Sequence, residues 1–437
     1  MMAKDDVRAD HRRILSVDCG SSSLKIAVYE LGAAGENMLV EGGIERLGAP
    51  DVSLHIRDYR GSTPHDVVRP LGSKTAVAAL LALLHEFGLL IDGVGHRLVY
   101  GGSEHEQPAR VTTDLMTSLA LLVPFDPLHL PAALAAIREI ATASPDLPQV
   151  ACFDTAFHRR MPMVAQRFAL PRELWSEGVR RYGFHGLSYE SIVRTLGERR
   201  THGAMIVAHL GSGASLAAMR DGKPVDTTMG LTPLGGLMMG TRPGDLDPGV
   251  LLYLLRTGRY TLEQLEDMLT ERSGLLGVSQ ISADMRTLLE RRAADAAAAQ
   301  AIELFVYQAK KYIGALVAVL GDLNTLVFTG GMGESSAVIR AEITEGLTHL
   351  GIELDPIRNA AGAASISTDK ARVVVRVIKT NETLMVARHA FATLFEAGDA
   401  RDEASTPVLK WESHHDGPCA LSLAARPQAR ACDLGRR

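Results

Sequence analysis

Three short runs of apolar residues, at 14–17, 24–31 and 38–44, open the chain, the second alternating with polar positions. Alternation with a period of two puts one set of side chains on each face of an extended segment, so these runs predict β-strands. Residues 75–87 are apolar nearly all round and stop at Gly88, a frequent residue just past a helix end, which predicts a buried helix. A strand at 93–99, a helix at 132–143 with Pro131 in its opening turn, and a strand at 149–153 follow. The order is βββαβαβ.

The second half repeats that order. Residues 205–219 read as strand, Gly-Ser turn and strand, and a third strand is predicted at 223–228. Helices at 247–255 and 293–320, a strand at 325–329, a helix at 335–350, a strand at 372–378 and a closing helix at 384–395 complete it. Two halves that each open on a Gly-Ser hairpin predict a duplicated α/β architecture with a cleft between the copies, against the alternative of chance likeness between two α/β domains. The boundaries fall at 12–199 and 200–397, with the closing helix as a candidate to pack back on the first half. Few periodic apolar positions occur in 406–437, so 398–437 reads as a disordered tail.

Composition narrows the class. A chain of 437 residues is too long for one typical core and favours two domains of roughly 150–200 residues. Its net charge of −5 offers no basic field for nucleic acid or an anionic membrane, so any anion site is local. The start is polar, and no apolar run reaches the ~18 residues needed to span a bilayer. A cytoplasmic protein is expected. Cys19, Cys152, Cys419 and Cys432 lack Cys-x-x-Cys spacing, which indicates free thiols rather than a zinc site or a disulfide framework.

The candidate chemistry starts in the first hairpin, where Gly20, Ser21, Ser22 and Ser23 lie between two strands and Lys25 follows. Backbone N–H groups, hydroxyls and a cation suit a phosphate chain. The loop leads into a strand, which excludes the Walker loop and the dinucleotide fingerprint, both of which open a helix. An ordinary hairpin with polar turn residues remains the alternative. The second hairpin, His209, Leu210, Gly211, Ser212, Gly213, Ala214 and Ser215, echoes the first, and two such loops across a cleft would grip one polyphosphate. A third glycine turn, Gly330, Gly331 and Gly333 before Glu334, follows a buried strand and lets backbone approach a base or ribose. Arg97, Asp154, His185 and Arg242 fall at strand ends or in Gly-rich loops, where α/β sheets line their crevices. Two arginines suit a carboxylate and a transferring phosphoryl group. Asp154 and Glu382 are able to hold Mg²⁺ directly or through water. Singly, each has a structural explanation as ion pair, helix cap or core histidine; together with three phosphate-type loops they favour function.

The chain resembles the acetokinases, a family within the superfamily of sugar kinases, heat-shock chaperones and actin. The likeness rests on C-G-S-S-S-L-K (19–25), G-H-R-L-V-Y-G-G (95–102), D-P-L-H-L-P (126–131), F-D-T-A-F-H (153–158), R-R-Y-G-F-H-G (180–186), H-L-G-S-G-A-S (209–215), M-G-T-R-P-G-D-L-D-P (239–248), F-T-G-G-M-G-E (328–334) and T-N-E-T-L-M (380–385). It implies an actin-like, ribonuclease H-like fold of duplicated βββαβαβα domains around a nucleotide cleft. It also implies reversible phosphoryl transfer from ATP to acetate, giving acetyl phosphate and ADP, with propionate or another short carboxylate, or another donor, as the alternative. By the same likeness Arg97 and Arg242 align substrate and steady the transferring group, Asp154 is the essential carboxylate, and His185 stabilises the transition state. Glu382 is then the Mg²⁺ (or Mn²⁺) carboxylate with Asp18 beside it. The base and ribose lie near Asp284, Met285 and Arg286 and near Gly331 to Glu334, and Val99, Leu128, Phe184 and Pro233 form the acyl pocket. A homodimer is implied as well.

Five positions depart from the family pattern: Asp18, Ser212 and Ser335 stand where asparagine is usual, as does Leu130, and Tyr189 replaces a histidine. They raise a further reading, a nucleotide-binding regulator without catalysis.

Overall fold

The computed structural model describes residues 11–20, 23–33, 35–45, 52–61, 63–71 and 75–396. Ser21, Ser22 and the expected tail at 398–437 lie outside the described residues.

Two sheets organise the described chain. The first takes β1 (His11–Cys19), β2 (Ser23–Gly32), β3 (Gly35–Glu45), β4 (Ser53–Asp58), β5 (His65–Pro70), β6 (Gly93–Leu98), β7 (Ala109–Arg110) and β8 (Gln149–Phe153), in the order β5-β4-β3-β2-β1-β6-β8-β7. The second takes β9 (Ala204–Leu210), β10 (Ala214–Arg220), β11 (Lys223–Thr227), β12 (Thr325–Thr329) and β13 (Val374–Val377), in the order β11-β10-β9-β12-β13. The inner five strands of the first sheet, β3-β2-β1-β6-β8, have the same plan as the whole of the second. In each, a meander of three antiparallel strands is extended by two strands parallel to the first. The repeat read from the hydrophobic pattern is therefore a repeat of strand topology.

Alternation along the strands sorts side chains between faces. On β1, Leu15 and Val17 join a core with Leu80, Leu83 and Leu84 of the helix Ala76–Glu86, while Ile14 faces the helix Glu382–Phe391 through Val386 and Ala390. On β9, Ile206 and Ala208 pack with Ile302 and Phe305 of the long helix Ala296–Leu320, whereas Met205 and Val207 meet Tyr189 and Ile192 of the helix Gly186–Leu196. The halves thus exchange helices. Gly186–Leu196, early in the chain, covers the second sheet, and Glu382–Phe391, late in the chain, covers the first.

Several elements differ from the sequence expectation. Strands β4 and β5 were not expected; β5 is exposed along most of its length, and an edge strand facing water has little apolar alternation to read. The helix expected at 335–350 is three pieces, Gly330–Ser335, Ala337–Thr344 and a short 3₁₀ turn, Thr348–Leu350. Ser336 ends the first piece and caps the second through the Ile339 N–H, and Gly346 at φ 79° stops continuation. The closing helix begins two residues early, because the Asn381 side chain accepts from the Leu384 N–H and caps it at Glu382.

Candidate active site

The ends of parallel strands bring the charged residues together. Asp18 near the end of β1 is in register with Arg97 on the neighbouring β6, and β6 runs beside β8, which ends one residue before Asp154. Arg97 is therefore flanked on both sides by carboxylates. Its Nη1 donates to Asp18 at 2.9 Å, its Nη2 and Nε donate to Asp154 at 2.6 and 3.1 Å, and Glu382 stands 3.5 Å from Nε. Glu382 arrives from the first turn of its helix, where the helix dipole favours a negative side chain.

This cluster is tightly coupled. Burial pulls the Arg97 guanidinium down, but Asp154, Asp18 and Glu382 together outweigh it and leave its pKa raised. Asp154 is fully buried. Burial pushes its carboxyl up against the opposing pull of Arg97, and Glu382 and Asp18 add to the push. Its Oδ2 holds Arg97 while Oδ1 is buried without a hydrogen-bond partner among the described residues.

The second sheet supplies the opposite wall. Its hairpin turns in three residues, Gly211 to Gly213, closed by a Gly211 N–H bond to the Gly213 carbonyl at 3.0 Å. The first hairpin closes through Gly20 N–H to the Ser23 carbonyl at 2.8 Å. A Cβ on Gly213 would stand 3.1 Å from Arg242 Nη2 and 3.2 Å from His185 Nε2, so glycine is what lets these two groups meet at the loop. His185 is in the left-handed region at φ 58°, immediately before the helix Gly186–Leu196. Its neighbour Gly186 approaches so closely that a Cβ would lie 2.0 Å from the Asp154 carbonyl oxygen, and its own N–H donates to that oxygen at 3.0 Å. The Y-G-F-H-G motif therefore fastens His185 to Asp154.

His185 stacks on His209 with ring centroids 4.3 Å apart. Burial, then His209, Arg97 and Arg242, push the His185 pKa well below its usual value, and burial brings His209 down to about 4. Both rings are neutral at pH 7. Arg242 donates to the Pro233 carbonyl at 2.9 Å and has no carboxylate in ion-pair contact among the described residues. Burial lowers its pKa, with Glu271 and Asp126 acting weakly against it.

These groups line one cavity of about 880 Å³, together with Gly20, Ser23, Lys25, Gly211, Ser212, Gly331 and Glu334. Val99, Phe184 and Pro233 form its apolar patch beside Arg242. Leu128 is not on the wall; His129, held by Asp126 at 2.9 Å, is. Asp284, Met285, Arg286 and Gly333 also lie off the lining. Asp284 caps a short helix through the Arg286 N–H, Met285 is in the core, and Gly333 is buried at its turn. Glu334 accepts from the N–H groups of Gly330 and Thr380 at 3.0 and 3.2 Å, tying the third glycine turn to the strap before Glu382. Tyr29, Lys379, Thr380, Asn381 and Thr383 line the cavity too and were not singled out by sequence reasoning. Of these Thr380, Asn381 and Thr383 had a signal, their place in the T-N-E-T-L-M motif around Glu382.

Residues 13–388 match the Acetokinase family. The chain is 46% identical over 391 residues to an acetate kinase of Rhodopseudomonas palustris, covering 86% of this chain and 97% of that one. Among solved structures, a propionate kinase from Francisella tularensis superposes with a TM-score of 0.81 at 34% identity, covering 87% of this chain and 99% of the other. The acetate kinase of Porphyromonas gingivalis gives 0.78 at 35%, covering 88% and 100%. Matched over most of its length and carrying each family motif at the wall of one cavity or in the turns that shape it, the chain belongs to the acetokinase family.

Proposed function

We propose that this protein is an acetate kinase, transferring the γ-phosphoryl group of ATP to acetate to give acetyl phosphate and ADP, and the reverse. One observation carries the reading. Arg242 is a guanidinium without an ion-pair partner among the described residues, set between the Val99, Phe184 and Pro233 patch and the Gly211 to Gly213 hairpin. A short carboxylate that lays its methyl on the patch presents its oxygens to that cation and to a phosphoryl group on the hairpin.

The chemistry needs alignment more than proton transfer. Acetate is already ionised at neutral pH, so no general base is required to make the nucleophile. Two anions must instead be brought together, and groups fixed in place offset that repulsion without reorganising during the reaction. Arg242 and the neutral His185 face the hairpin where the transferring group would lie, while Arg97 is held rigidly by three carboxylates.

The same carboxylates fit a divalent cation. Three of them against one guanidinium leave an excess of negative charge, and Asp154 Oδ1 is a buried acceptor without a donor among the described residues. Among the described residues no group of three or more His, Cys, Asp or Glu forms a metal cage, which agrees with Mg²⁺ held by one or two carboxylates and by substrate phosphates. Glu382, with Asp18 beside it, would hold it, and it would neutralise charge on the phosphate oxygens.

A cytoplasmic homodimer completes the reading. Among the described residues no helix is long and apolar enough to cross a membrane. The helix Pro248–Arg256 buries none of its residues while exposing Val250, Leu252, Tyr253 and Leu255, a surface suited to a second copy. Steady-state kinetics across acetate, propionate and butyrate with Mg²⁺ and ATP, trapping acyl phosphate with hydroxylamine, test the proposal. Acetate is expected to give the highest kcat/KM, with propionate within about 10–200-fold because one methylene is worth only about 1–3 kcal/mol. Absence of acyl phosphate from any of the three would leave the non-catalytic regulator.

A further inference from the structure

The two stacked imidazoles have a hydroxyl behind each of them. His185 turns Nε2 towards the cavity hairpin and Nδ1 inward, to Ser215 Oγ at 2.8 Å. Ser215 Oγ in turn lies 2.5 Å from the Tyr189 hydroxyl. Ser215 and Tyr189 are fully buried, and neither hydroxyl has another partner among the described residues.

Proton counting gives this chain a direction. Tyr189 has one hydroxyl proton, and Ser215 Oγ is the one acceptor in reach among the described residues; a buried O–H left unpaired is costly. Tyr189 therefore donates to Ser215. Ser215 then gives its own single proton to His185 Nδ1, the acceptor on its other side. A neutral imidazole that accepts at Nδ1 carries its proton at Nε2. The reverse direction would strand the Tyr189 proton in the core. The adjacent ring repeats the pattern, with Ser188 Oγ at 2.8 Å from His209 Nδ1 and no other partner among the described residues.

We propose that Ser215 and Tyr189 are positioning residues that hold His185 as its Nε2–H tautomer, with Ser188 doing the same for His209, so that two stacked rings present N–H donors to one anionic group. The pair offers two directed donors without two positive charges. Two imidazolium rings 4.3 Å apart beside Arg97 and Arg242 would repel one another. Tyr189 thereby has a task in this chain: it is the terminal donor. The identity of the anion as a transferring phosphoryl group rests on the functional reading above, whereas the tautomer does not.

Two measurements test it. Long-range ¹H–¹⁵N spectra of the full chain labelled at histidine, with His185 assigned by the signal lost in His185→Asn, are expected to show a protonated Nε2 and a bare Nδ1 near pH 7. A protonated Nδ1 on His185 overturns the proposal, whether or not the protein proves to be a kinase. In kinetics, Ser215→Ala is expected to lower kcat about tenfold or more with both KM values within about twofold, because the ring is freed to take either tautomer. Tyr189→Phe, which leaves Ser215 its acceptor, is expected to cost less, about threefold, and Ser215→Thr to restore most of the loss. Wild-type kcat in a folded Ser215→Ala variant overturns the positioning role. Should these variants fail to fold, the spectrum of the wild-type chain still decides.

Discussion

Arg97→Met replaces the central cation by an unbranched apolar chain and leaves Asp18, Asp154 and Glu382 facing one another. Asp154 suffers most, since it is fully buried and Arg97 is its partner at 2.6 Å. At an effective dielectric of about 20, a contact of this kind is worth roughly 4 kcal/mol, which corresponds to about three pKa units. Losing that contact removes the pull that opposes burial, so the Asp154 carboxyl, already raised in the wild type, is pushed further up in the folded variant. The sign follows from linkage. Where a carboxyl's folded pKa lies above its unfolded value, the unfolded chain ionises first, and stability falls as pH rises between the two. Relative to wild type, the variant should lose up to about 1.4 kcal/mol per pH unit as pH rises from the folded pKa of Asp154 in the wild type to its higher folded pKa in the variant. Urea unfolding of wild type, Arg97→Met and Arg97→Met/Asp154→Asn at pH 5 and pH 7.5 measures it. The gap between wild type and the single variant should widen from about 1–2 kcal/mol at pH 5 to about 3–5 kcal/mol at pH 7.5, and Asp154→Asn should recover most of that widening. An equal gap at both pH values, with no recovery in the double variant, would refute the assignment of Arg97 as the counter-charge to Asp154.

Arg242→Ala should abolish acyl phosphate formation, a loss of about a thousandfold or more, while calorimetry shows nucleotide binding retained. In Gly213→Ala the new methyl must displace Arg242 or His185 by a few tenths of an ångström, so kcat should fall about tenfold with the unfolding midpoint unchanged. Burial brings His96, His158 and His209 down to about 4 and lowers His185 well below its usual value, so their folded pKa values lie below those of the unfolded chain. Full stability is therefore present above about pH 6.5 and falls as acid protonates the unfolded state, by about 1.4 kcal/mol per histidine per pH unit down to about pH 4. Unfolding curves at pH 7.5, 6 and 5 check this slope.

The sequence by itself determined the strand-turn-strand openings at Gly20 and Gly211 and the duplication, and it singled out Arg97, Asp154, His185, Arg242 and Glu382, which line one cavity, as candidates, because period-two alternation, glycine turns and motif residues are local signals. Leu128 carried a motif signal, and Asp284, Met285 and Arg286 were implied by the family likeness, yet packing places all four off the cavity lining. His129 shares a motif with Leu128, but which of two adjacent side chains faces a cavity depends on how the turn before Leu130–Ala143 is held, here by Asp126. The return of the closing helix to the first half was an expectation from sequence, but tertiary structure alone decided that Gly186–Leu196 covers the second sheet. Glu382 reaches Arg97 because the helix Glu382–Phe391 packs on the first sheet, and His185 reaches Asp154 because Gly186 allows backbone contact across the chain. Neither contact has a signature in sequence spacing. Both depend on which buried face covers which sheet, and that is set by complementary packing rather than by the spacing of the segments in the chain.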